Sequence, residues 1–154
     1  MENTVGIQTH ILFVCTGNTC RSPMAQVIAE SAVNKLGSDK HAIVIDSAGV
    51  AAGDGHRASA EAVEVMDQWG IDLSGHQSEI ITLELVDRAD VIYAMTPAHA
   101  HALVRMVPES RAKVFPLDAM HPVLDPIGGP IEVYREVAEQ LERLIQAKIK
   151  EIIS

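Results

Sequence analysis

The run Cys15-Thr16-Gly17-Asn18-Thr19-Cys20-Arg21-Ser22 concentrates residue types that handle an anion and attack it. It follows an apolar stretch, Ile11 to Val14, and precedes a helical pattern, so its N–H groups sit at a helix N-terminus, where the dipole favours negative charge. Five residues between Cys15 and Arg21 allow the backbone to curl with successive N–H groups facing inward. Gly17 and Asn18 are the residues best able to take left-handed conformations in that curl. Arg21 closes the ring with a planar fork matched to two phosphoryl oxygens. The same donors favour the thiolate form of Cys15, which makes it a nucleophile toward phosphorus. Thr16, Gly17, Asn18, Thr19, Cys20, Arg21 and Ser22 are therefore read as a phosphate cradle around Cys15. Ser22 is read first as the helix N-cap, with donation to the Cys15 sulfur as the alternative. Cys20 is either a small packing residue or a thiol that captures an oxidised Cys15.

Hydrolysis through a phosphocysteine also needs an acid for the leaving group and a base for water, and one carboxyl group can serve as both. Asp125 is the candidate, because Leu124 and Pro126 predict partial burial that favours the protonated form. Asp118 is the runner-up. His99 and His101 stand two apart on a predicted helix, point to different faces and are expected in solvent, so no shared metal is assigned. His56 and His121 could lie near the rim of the site, which nothing in the sequence shows, and no cofactor is implied.

The elements needed to position these residues are legible from periodicity. Strands are predicted at His10 to Val14, Ala42 to Ser47, Asp90 to Met95 and Lys113 to Phe115. Helices are predicted near Pro23 to Leu36 (ended by Gly37), Ala58 to Trp69, Pro97 to Met106 and Ile131 to Ile152, the last with apolar residues on one face and Glu132, Glu136, Glu139 and Glu142 on the solvated one. This alternation predicts an α/β fold of three α-β-α layers: a four-stranded parallel sheet with the phosphate loop after strand one, at the carboxyl ends of the strands. The segment from about Pro116 to Pro130 is irregular and long enough to be functional.

The 154 residues predict one domain, with 1–9 as a flexible N-terminal extension. An apolar fraction of 47% against 21% charged residues excludes a disordered chain, and 3% aromatic content leaves Val, Ile, Leu, Ala and Met to build the core. A net charge of -9 without a basic patch argues against nucleic acid. No run approaches the ~18 apolar residues of a membrane span, and residues 1–10 lack the pattern of a signal peptide. A cytoplasmic protein is expected, a monomer or weak homodimer, acting on phosphorylated proteins.

These residues resemble the low-molecular-weight protein tyrosine phosphatase family, and more closely its bacterial protein-arginine phosphatase branch. The run Val14 to Ala25 carries the resemblance, with Ser47-Ala48-Gly49, His76 with Ser78, Asp90 leading into Ala94-Met95-Thr96, and Asp125-Pro126 before Gly128-Gly129. The resemblance implies the roles given to Cys15, Arg21 and Asp125, and it implies that Asn18 and His76 hold the cysteine loop in shape. Aromatic residues usual after the Asp-Pro of tyrosine phosphatases are replaced by Ile127, Gly128 and Gly129, and Glu79 stands where a basic residue is common. Thr19 matches the arginine branch, where the tyrosine branch carries a bulkier aliphatic residue; its hydroxyl suits the N–H groups of a phosphoguanidine, or it simply fills the loop. Thr19 and Ile127 are thus the specificity candidates, with phosphoarginine as expected substrate and phosphotyrosine as alternative. A thiol-linked arsenate reductase would carry further cysteines toward the C-terminus, and none follows Cys20. A phosphocarrier or a silent anion-binding module has no use for Arg21 together with Asp125.

Overall fold

The structure, a computed structural model, describes residues 7–36 and 41–153. The chain runs β1 (Ile7–Cys15), α1 (Arg21–Leu36), β2 (His41–Gly49), α2 (Ala60–Gln68), α3 (Leu83–Arg88), β3 (Val91–Ala94), α4 (Pro97–Met106), a 3-10 turn (Pro108–Lys113), β4 (Val114–Pro116) and α5 (Ile131–Ile153). All strand pairs are parallel, in the order β2-β1-β3-β4. The three-layer α/β fold expected from the alternation is the one observed.

Burial on both faces explains the unbroken apolar run in β1. Ile11 and Phe13 pack on one face with Met24 and Ile28 of α1 and Leu141 and Ile145 of α5. Leu12 and Val14 pack on the other with Val86 of α3 and Leu103 of α4. Each fully buried side chain of this size stabilises by roughly 1.5–3 kcal/mol relative to exposure, so β1 is fixed from both sides. The chain leaves β1 for β2 on one flank and returns as β3 on the other. The crevice past Cys15 is therefore a topological switch point, where open α/β sheets place their ligands.

Most element ends shift by a residue or two from expectation, and a few differences matter more. β1 begins at Ile7 and pairs with β2 from there, so the last three residues of the expected flexible extension belong to the sheet. The helix α1 starts at Arg21, with the Cys20 carbonyl accepting from the Met24 amide at 3.1 Å, so Ser22 lies in the first turn and is not the N-cap. The six-residue α3 is an additional helix, too short to show a helical period in the sequence. Gly37, expected to end α1, lies outside the described residues.

Candidate active site

The cradle is built by turning carbonyls outward. The Cys15 carbonyl accepts from Val50 N at 2.9 Å, Thr16 from Ala51 N at 3.0 Å, Thr19 from Ser59 N at 2.9 Å and Cys20 from Met24 N. The Asn18 carbonyl accepts from His76 Nε2 at 2.8 Å, and since a carbonyl only accepts, that nitrogen carries the proton. In a trans peptide the N–H points opposite to the preceding C=O. The amides of Thr16, Gly17, Thr19, Cys20 and Arg21 are thus aimed to the inner side of the loop.

Asn18 is the knot of this arrangement. It alone among described non-glycine residues has a positive φ, 56°, and it is fully buried. Its Nδ2 donates to Ser22 Oγ at 2.8 Å and to Ser47 Oγ at 3.0 Å, and its Oδ1 accepts from the Glu79 amide at 2.9 Å. Ser47 in turn donates to Gln26 Oε1 at 2.7 Å. The left-handed turn is stabilised because every polar atom of the buried amide is matched. Glu79 serves through its backbone, so the side chain at that position is free to differ from the usual basic residue. Gly49 shows why a glycine ends β2: a Cβ there would collide with the Thr16 carbonyl and lie 3.0 Å from Asn18 N.

Cys15 is buried, with Sγ 2.9 Å from Ser22 Oγ. Because Ser22 Oγ already accepts from Asn18, its own hydrogen is free to point at the sulfur. The alternative reading of Ser22 thus matches the observed geometry, and the cap reading does not. Arg21 is 6% exposed; Nη1 donates to the Val123 carbonyl at 3.0 Å, and Nη2 lies 3.6 Å from Asp125 Oδ2. The Val123 amide donates to Met95 O at 3.0 Å, tying the long loop to the end of β3. The other oxygen of Asp125 accepts from the Ile127 amide at 3.1 Å, a local turn that holds the carboxylate over the cradle.

A cavity of about 130 Å³ is lined by Thr16, Gly17, Asn18 and Cys20 and by the residues given chemical or specificity roles, Cys15, Thr19, Arg21, Asp125 and Ile127. His76 supports it from behind. Asp118 is not part of the lining; it accepts from the Met120 and His121 amides, and chiefly the Met120 hydrogen bond holds it below its ordinary carboxylate range. The partial burial expected around Asp125 is met on one side only: Pro126 is buried, but Leu124 is 67% exposed and the Asp125 side chain 46% exposed, because the loop lies on the surface. His56 and His121 also lie outside the lining. A larger groove of about 740 Å³ between α4 and β4, lined by Pro97, Val104, Arg105 and Arg111 among others, holds neither cysteine nor carboxylate.

His99 departs from the expectation of solvent exposure. His101 is exposed, as expected, but His99 is buried on the inner face of α4, with Nε2 2.7 Å from Thr16 Oγ1 and Nδ1 3.0 Å from Thr96 Oγ1. Burial, then the nearby Arg21 charge, pushes its pKa down to about 4. The available signal was Thr96, which caps α4 through the His99 amide and places this histidine in the first turn. Cys20 is buried in the opposite wall, 3.4 Å from Ser59 Oγ and 3.6 Å from Tyr134 Oη.

A parallel four-stranded sheet with a cysteine-arginine cradle at its switch point defines a cysteine-based phosphatase. The family model described as low molecular weight phosphotyrosine protein phosphatase matches residues 10–153, and the chain belongs to that family. It is 41% identical over 140 residues to a protein-arginine-phosphatase of Geobacillus stearothermophilus, covering 88% of this chain and 90% of that one. It is 37% identical over 147 residues to the protein-arginine-phosphatase of Bacillus subtilis, covering 92% and 95%. Among solved structures, it superimposes on a cysteine-to-serine variant of the YwlE arginine phosphatase with a phosphorylated active-site serine, at a TM-score of 0.90, 36% identity, and 95% and 97% coverage. The chain is thus a protein phosphatase, and no described helix is long and apolar enough to cross a membrane.

Proposed function

We propose that this phosphatase hydrolyses phosphoarginine in proteins through a phosphocysteine on Cys15. The observation that carries the substrate reading is the lining of the cavity. Thr19 and the half-exposed Asp125 face the same space as Cys15, and none of the chain's one Trp, two Tyr and two Phe lines it. A phosphotyrosine ring gains by stacking on aromatic walls, which this site lacks. A phosphoguanidine instead presents N–H groups, which a threonine hydroxyl and a carboxyl oxygen can accept and an aliphatic wall would leave unpartnered. The two curated relatives named as protein-arginine-phosphatases support the same reading.

In the first step the Cys15 thiolate attacks phosphorus, the N–P bond breaks, and Asp125 gives a proton to the departing guanidino nitrogen. Arg21 and the inward amides hold the equatorial oxygens. In the second, Asp125 takes a proton from water as it attacks phosphorus, and Ser22 donates to the Cys15 sulfur as the S–P bond breaks. Phosphotyrosine remains the alternative substrate, with the same two steps. The test is to give one preparation matched phosphoarginine and phosphotyrosine peptides. A higher kcat/KM for phosphoarginine is expected, and a preference for phosphotyrosine would overturn the substrate assignment.

A further inference from the structure

Beyond the backbone cradle, one side chain in the loop carries a donor that the chemistry above leaves unused. Thr16 follows the nucleophile directly and lines the same cavity as Cys15 and Arg21. Its Oγ1 is held at 2.7 Å by Nε2 of His99, 83 positions away and 7% exposed. At the other edge of that ring, Nδ1 lies 3.0 Å from Thr96 Oγ1.

The direction of these bonds follows from counting hydrogens. Thr96 Oγ1 accepts from the His99 amide at 3.2 Å as the N-cap of α4, so the hydroxyl hydrogen of Thr96 is free for Nδ1. His99 is uncharged above a pKa of about 4, so one ring nitrogen donates and the other accepts. With Nδ1 accepting, the ring proton sits on Nε2 and is donated to Thr16 Oγ1. The hydroxyl hydrogen of Thr16 is then unspent on the described residues. A phosphoryl group in the cavity offers only acceptors, and would favour this polarity of the chain over the reverse.

We propose that Thr16 is a side-chain oxyanion donor to the phosphoryl group, and that His99, fixed by Thr96, is the positioning residue that aims it. The proposal rests on reading the cavity as the phosphoryl site. Its consequence is substrate-independent, because the phosphoryl group is common to every substrate whatever the leaving group.

The test uses the intact chain with Thr16→Val, His99→Gln, His99→Phe and Thr16→Val/His99→Phe, each checked for a native thermal transition. Thr16→Val is expected to lower kcat/KM about 10- to 100-fold, the range of one hydrogen bond to a charged group, and to weaken vanadate inhibition. The factor should be the same for phosphoarginine peptide, phosphotyrosine peptide and nitrophenyl phosphate. His99→Phe should lose a similar factor, His99→Gln, which keeps a donor, should recover part of it, and the double variant should be no worse than Thr16→Val alone. Unchanged vanadate inhibition in Thr16→Val, or losses in Thr16→Val and His99→Phe that simply multiply, would overturn the proposal. Should phosphotyrosine prove the better substrate, the arginine assignment fails while the vanadate measurement still decides this one. If His99→Phe does not fold, Thr16→Val and His99→Gln decide it.

Discussion

Ser22 Oγ lies 2.9 Å from Cys15 Sγ while accepting a hydrogen bond from Asn18 Nδ2 at 2.8 Å, so the Ser22 hydroxyl hydrogen is free to point at the sulfur. A donor on the sulfur matters most when the thiolate leaves phosphorus. Ser22→Ala is therefore expected to slow hydrolysis of the phosphoenzyme about 10- to 100-fold and to spare its formation. Rapid mixing with nitrophenyl phosphate should show a burst of nitrophenolate followed by a slow steady state. A variant with equal losses in both phases would place Ser22 in the architecture of the loop instead.

Asp125→Asn should lower turnover of a phosphoarginine peptide about 10²- to 10⁴-fold. The loss should shrink with nitrophenyl phosphate wherever phosphoenzyme formation limits the rate, because nitrophenolate leaves without a proton. Asp118→Asn, outside the cavity and bonded to its own loop, should stay near wild type. A larger defect in Asp118→Asn than in Asp125→Asn would transfer the role.

Thr19→Ile is expected to lower kcat/KM for phosphoarginine about 10-fold or more while sparing or raising that for phosphotyrosine, since the aliphatic side chain desolvates guanidino N–H groups without offering a partner. An unchanged ratio of the two substrates would remove Thr19 as a specificity residue.

Mild peroxide should inactivate the enzyme reversibly. Peroxide oxidises the Cys15 thiolate to a sulfenic acid, Cys20 displaces water to form a disulfide, and dithiothreitol restores both thiols. Both cysteines are free and line one cavity. Mass mapping that finds no Cys15–Cys20 bridge, with Cys20→Ala no more prone to irreversible oxidation, would leave Cys20 as the packing partner of Ser59 and Tyr134.

His99 ties stability to pH. The unfolded chain binds its proton near the ordinary 6.5 and the native chain only near 4, so the unfolded state is favoured increasingly as pH falls through that window. The contribution is fully present above 6.5 and should be reduced by about 2 kcal/mol at pH 5. Asp118, whose carboxyl is lowered, acts only below that window. Urea midpoints at pH 7 and 5 should converge in His99→Gln relative to wild type. An identical shift in both proteins would refute the assignment.

The sequence alone determined whatever depends on near neighbours along the chain. The unbroken apolar run of β1, the one-sided periodicity of α5 and the Cys15-to-Arg21 spacing each state a local requirement, and burial and backbone geometry leave few ways to satisfy it. Tertiary structure decided what depends on residues far apart. Ser22 changed from cap to sulfur partner because the Cys20 carbonyl begins α1 and Asn18 claims the serine oxygen. His99 turned inward because α4 packs its first turn beside Thr16, a pairing across 83 positions that no periodicity encodes. The exposure of Asp125 likewise followed from where the long loop lies: its neighbours Leu124 and Pro126 suggested burial, but only the path of the loop across Arg21 fixes how much water reaches the carboxylate.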